Sequence, residues 1–202
     1  MAENKNYRAS TGVDEFYYAV LNDSDLVEGD IERVKFLQEI TVEMSQEIVR
    51  AYGDNKVAEL AVSNGDVSVT SAFHKVPEED KIQLFGLEAT QDGLASFGST
   101  DAPPYVAAIF ARTYEDGSKE WVGLPKGMFM RPNIGGSTKE DGVDFSNEEI
   151  TAEFMDREVS GFNDEKSVIF GRDSKNSTAK RDALFLAIFG KGYPGTTRPE
   201  GV

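Results

Sequence analysis

The chain has no cysteine, a single histidine and a single tryptophan, and each scarcity removes a class of chemistry. Without cysteine there is no disulfide framework, no thiolate zinc site and no cysteine nucleophile. With His74 as the sole imidazole, histidine-rich metal sites are excluded, and a catalytic triad would have to be built on that residue. His74 closes an alternating apolar segment just before a helix-start signal, a place that suits a loop or cap. No run approaches the ~18 apolar residues of a membrane span, and the opening residues lack the apolar region of a signal peptide. The expectation is a chain made in the cytoplasm that does not insert into a membrane. Basic residues are also short: 21 Lys and Arg against 36 Asp and Glu, a net charge of −15. Tight binding to nucleic-acid phosphate needs clustered cations, so that balance argues against it.

What is present is alternation. The length of 202 residues suits a single domain. Over residues 39–52, Ile40, Val42, Met44, Ile48 and Tyr52 share one parity and Glu39, Thr41, Glu43, Ser45 and Glu47 the other, the period of a strand with one buried and one wet face. The same pattern recurs over 67–73, where Asn64-Gly65-Asp66 reads as a preceding turn. Residues 106–114 are apolar or small on both faces, as in a central strand, and Asp116-Gly117 reads as a hairpin turn into residues 120–124. Residues 16–21, 149–155 and 168–170 are further strands. Pro77 followed by Glu78, Glu79 and Asp80 starts a helix that Gly86 can end. Residues 179–189, with Leu184/Ile188 and Phe185/Phe189 at i, i+4, fit a second helix or a buried strand. Residues 131–148 form a long polar, glycine-rich connection, and loops of that length tend to be functional or disordered.

Motifs for chemistry fail on inspection. Gly135-Gly136-Ser137-Thr138-Lys139 reverses the order of a phosphate-binding loop. Residues 23–29 resemble a calcium loop only in composition, since Val27 and Gly29 break its register. Glu148 with Glu153 could be named as a glycosidase pair, but carboxylates are too abundant for that choice to be specific. The expectation is a protein that is not an enzyme and needs neither metal nor cofactor.

An ordered series of segments resembles the major tail proteins (tail tube proteins) of long-tailed bacteriophages of Gram-positive hosts. It begins with Gly12-Val13-Asp14-Glu15-Phe16-Tyr17-Tyr18-Ala19-Val20-Leu21 and continues through Ala51-Tyr52-Gly53-Asp54-Asn55 and the 67–70 strand. The acidic helix ending Leu84-Phe85-Gly86 follows, then Ala102-Pro103-Pro104-Tyr105-Val106-Ala107. Trp121-Val122-Gly123-Leu124-Pro125-Lys126-Gly127-Met128-Phe129 is similar to the family's aromatic, Leu, Lys-Gly, aromatic strand. Ile150-Thr151-Ala152-Glu153-Phe154 and Asp156-Arg157-Glu158 close the match. It covers a core of about 12–158, and residues 161–202 form an extension that departs from the pattern.

The resemblance implies a mainly β fold, a β-sandwich or barrel of the tail tube type with one flanking α-helix and a long hairpin loop. It further implies a virion protein, six copies of which form a ring whose inner sheets join into one barrel. Rings stack around the tape-measure protein, between a tail terminator and distal tail or baseplate proteins, and double-stranded DNA passes through without specific binding. On this reading Glu39, Thr41, Glu43, Glu149, Thr151 and Glu153 face the lumen. Ile40, Val42, Met44, Ile150 and Phe154 then pack inward. Asn133, Gly135, Gly136, Lys139 and Gly142 belong to a loop between subunits. The alternative is a monomeric β-sandwich that binds a carbohydrate or protein ligand.

Overall fold

The computed structural model describes residues 8–54, 56–135 and 147–196. In chain order the elements are β1 (Ser10–Leu21), β2 (Val27–Val34), β3 (Leu37–Gly53), β4 (Lys56–Phe73), α1 (Glu78–Phe85), β5 (Glu88–Ala89), β6 (Ala95–Ser96), β7 (Val106–Tyr114), β8 (Lys119–Phe129), β9 (Glu148–Met155), β10 (Ile169–Asp173) and α2 (Ala179–Phe189). The fold is mainly β, as the alternation predicts. The main sheet runs β2-β1-β7-β8-β9-β4-β3 with every pairing antiparallel, and β10 adds to β8.

β8 is a branched strand. Residues 119–123 pair with β10 and residues 126–129 pair with β9. Between the two ladders sits Pro125, which has no N–H to leave unpaired where the partner changes. The branch lets the sheet bend around one core, built from Phe16 and Tyr18 of β1, Val67, Val69 and Phe73 of β4, Leu124 and Phe129 of β8, and Ile150 and Phe154 of β9. Leu84 and Phe85 of α1 cap it. Aromatic edges meet aromatic faces inside, with Phe16 and Phe73 centroids 5.3 Å apart, a geometry favoured by ring quadrupoles.

The other side of β1, β7 and β8 is buried too. Tyr17, Ala19, Ala107, Ile109, Ala111 and Trp121 pack under Leu184, Phe185, Ile188 and Phe189 of α2, which is why residues 106–114 are apolar on both faces. Two buried charges hold α2. The Asp173 carboxylate accepts the backbone N–H groups of Lys180 and Arg181 at 2.9 Å each, satisfying donors that a helix start leaves open. The Arg157 guanidinium donates to the Ile188 carbonyl at 2.6 Å near the other end.

The structure corrects several expectations. Among the described residues there are two α-helices rather than one: residues 179–189 are helical, closed by Gly190 at φ +67 with its N–H donating to the Leu186 carbonyl, so the i, i+4 pairs report a helix face. β2 was missed altogether. Asn64-Gly65-Asp66 is not a turn, because β4 runs through it from Lys56 and the hairpin with β3 closes at residues 53–56. Met44 has the inward parity but stays exposed. Of the long connection, residues 136–146 lie outside the described residues, and what is described confirms that it joins two paired strands, β8 and β9.

Between α2 and β1 lies an ionic knot. The Glu15 carboxylate accepts from the Tyr17 hydroxyl at 2.9 Å and the Tyr193 hydroxyl at 2.6 Å, and pairs with Lys119 Nζ at 2.5 Å. Burial alone would push the Glu15 pKa up, but the hydrogen bonds from Lys119, Tyr193 and Tyr17 outweigh it and hold the carboxyl below its ordinary value. A group depressed in the folded state contributes stability above its unfolded pKa and loses it as pH falls through the folded one. Glu15→Gln is therefore expected to cost about 2 kcal/mol near neutral pH. In thermal melts the gap to the parent should narrow as the pH is lowered below about 4.5.

Candidate assembly surface

The six residues assigned to one wall fall into register. Glu39 lies opposite Ala72 and Ala72 opposite Glu149; Thr41, Thr70 and Thr151 form the next row; Glu43, Ser68 and Glu153 the third. All six are on one face of β3-β4-β9, with Thr151 half-buried and the others exposed. The opposite parity carries Val67, Val69, Ile150, Ala152 and Phe154 into the core, with Ile40 and Val42 packed against it. Two strand spacings, about 9.6 Å, separate the carboxylates of one row. That is about one Debye length at physiological salt, so their repulsion is reduced by screening.

β8 supplies a fourth strand. Met128 lies opposite Glu153, and the Met130 N–H donates to the Thr151 carbonyl at 2.8 Å. β7 pairs with β8 only as far as Gly127, so among the described residues the outer edge of 128–130 has no strand beside it. The far edge of the 17-residue β3 has none either. This four-stranded sheet is therefore open on both sides, and its directions alternate, so a second copy laid edge to edge would continue the antiparallel order. Long open edges are templates for pairing with another chain.

β4 pairs with β9 only from Val67 onward. Beyond it the β3–β4 hairpin projects as a two-stranded arm, with Ile48 opposite Val62, Arg50 opposite Leu60 and Tyr52 opposite Val57. Those five apolar side chains share a face, and all are exposed, Tyr52 by 70%. The face is continuous in parity with Ile40 and Val42 because of a bulge: one residue of β3, Ser45, stands against two of β4, Gly65 and Asp66. Without the extra residue the odd apolar parity of Val67 and Val69 could not become the even parity of Leu60 and Val62. Only glycine fits at 65, since a Cβ there would lie 2.9 Å from that of Ser45.

Other assignments separate. Glu148 has the parity of Ile150 and Glu153 the opposite one, so they face different sides of β9 and cannot act as a pair; Glu148 instead accepts the Val76 N–H and pairs with Lys81. Asn133 and Gly135 lie in the coil after β8, and Gly136, Lys139 and Gly142 lie outside the described residues. Sequence reasoning missed the arm as a unit, although the parity change across Gly65 was its visible signal.

The family model for the phage tail tube protein matches residues 37–197. No curated protein matches the chain. A solved structure of similar shape is a chain of the anti-feeding prophage baseplate, seen by cryo-electron microscopy with six-fold symmetry applied; the alignment covers 83% of this chain and 97% of that one at 8% identity and a TM-score of 0.46.

An isolated two-stranded hairpin is marginal in water, so the arm depends on its bulge for shape. Gly65→Val is expected to accelerate hydrogen exchange of the arm amides at least tenfold. The amides of β1, β7 and β8 should keep their protection, because among the described residues no third strand couples the arm to them.

Proposed function

Because the chain belongs to the phage tail tube protein family, a family of structural virion components, we propose that its copies close side by side into a ring whose inner wall is the β3-β4-β9-β8 sheet. The observation that carries this reading is the set of three polar rows on the wet face of an antiparallel sheet that is open at both edges. Pairing β3 of one copy with residues 128–130 of the next would cover that short edge and the matching stretch of β3, as closure does in any barrel. With six copies the barrel would be about 48 Å across at the backbone, taking ~4.8 Å per strand and a tilt of about 40°. Such a channel can pass a duplex with solvent around it.

Glu39, Thr41, Glu43, Glu149, Thr151 and Glu153 then line that channel. Each Lys or Arg on the wall would add a phosphate contact and hence drag, whereas carboxylates keep the duplex in the solvated centre. Stacked rings would enclose the tape-measure protein until it leaves, with a terminator and baseplate proteins at the ends. Asn133, Gly135, Gly136, Lys139 and Gly142 follow the fourth strand and would meet the neighbouring copy beside β3.

Electron microscopy of concentrated protein should show rings or tubes. A purely monomeric protein at every concentration would overturn the reading. In Glu43→Lys/Glu153→Lys particles, tubes should form and DNA ejection should slow at low salt and recover as salt is raised. Unchanged ejection at low salt would remove these residues from the wall.

A further inference from the structure

β3 carries uncovered apolar surface at both of its ends. At one end is the tip of the arm, with Tyr52 opposite Val57. At the other is the corner between β2 and β3, where Phe36 stands 73% exposed at φ +63, a backbone conformation that is a genuine outlier for a bulky residue. Its ring meets His74 edge-on at 6.4 Å, and the two form a groove of about 680 Å³ with Pro77. Strain that sends an aromatic into solvent gains the isolated subunit nothing, and such outliers cluster where a contact is made. The 17 residues of β3 put tip and groove about 50 Å apart, so one copy cannot bring its own tip to its own groove.

We propose that the groove at Phe36, His74 and Pro77 receives the arm tip of the next copy along the polymer. Both sides of the contact carry charges of both signs. Arg33, Lys35 and Lys75 line the groove together with Glu78 and Glu79, while the arm carries Asp54 and Glu59 beside Lys56. Tyr52 and Val57 enter between them and cover Phe36. A tip at one end and a groove at the other make a head-to-tail contact, which extends without closing when copies follow one another. The inference rests on the ring reading only in taking the polymer to be stacked rings.

The cysteine-free chain makes the test direct. Phe36→Cys/Tyr52→Cys protein, oxidised at assembling concentration, should give a ladder of dimers, trimers and longer covalent chains, with Tyr52→Cys alone giving no ladder. Phe36→Gly should raise the thermal stability of the subunit, since glycine accepts the left-handed backbone, while lowering the mass of polymer longer than one ring at least tenfold. Rings without tubes in Phe36→Gly, together with the ladder, would establish the contact. Tubes of parental length in Phe36→Gly, or no ladder in the double variant, would overturn it while leaving the ring standing. Parent protein that forms no ring removes the ring reading, and the ladder still decides whether tip meets groove.

Discussion

The backbone of β3 cannot satisfy itself. Among the described residues its seventeen residues pair on one side only, so its other edge leaves a row of backbone donors and acceptors without a strand partner. Proteins that stay apart blunt such an edge with lysine, proline or a short strand. β3 has none of these: it is long, it contains no proline, and its only cation is Arg50. The rest of the molecule is consistent with an edge kept for pairing. The polar rows place acids and hydroxyls on the wet face, the core holds the other face, and the fourth strand ends with an open edge of its own. A monomeric binding module would gain nothing from two open edges on one sheet.

Strand positions were readable wherever one face is buried and the other wet, because period two survives in the residue types. Glu39 to Val42 and Glu149 to Phe154 are such stretches; parity gives the face of each, while the three rows need the registers of β3 with β4 and of β4 with β9. The second helix was equally visible in Leu184, Phe185, Ile188 and Phe189, but an apolar run of that length also fits a strand until Asp173 and Arg157 are seen at its ends. β2 was illegible for a physical reason. Val27 and Ile31 pack into the core under α2, whereas Val34 packs into the core on the other side of the sheet. A strand that buries a few apolar residues on each of its two faces shows no simple alternation.

The arm hid behind a break in parity. Asn-Gly-Asp is turn chemistry in most settings, yet here the glycine serves close approach to Ser45 within a continuous strand. Phe36 offered no pattern at all: a single aromatic between Lys35 and Leu37 is indistinguishable in sequence from a core residue. Only the backbone angle and the exposure separate it. Features that depend on one residue's environment stay silent in composition and periodicity, whereas faces built from many residues do not.

The branch in β8 has a mechanical consequence. One covalent strand belongs to two layers, its first half to the sheet under α2 and its second to the polar sheet, with Pro125 where one edge passes from β10 to β9. Its other edge stays laddered through the change, since Ala108 pairs with Leu124 and Val106 with Gly127 of the same β8. A load on the polar sheet is therefore handed to the layer under α2 through continuous backbone of β7 and β8, and the two layers move as one brick.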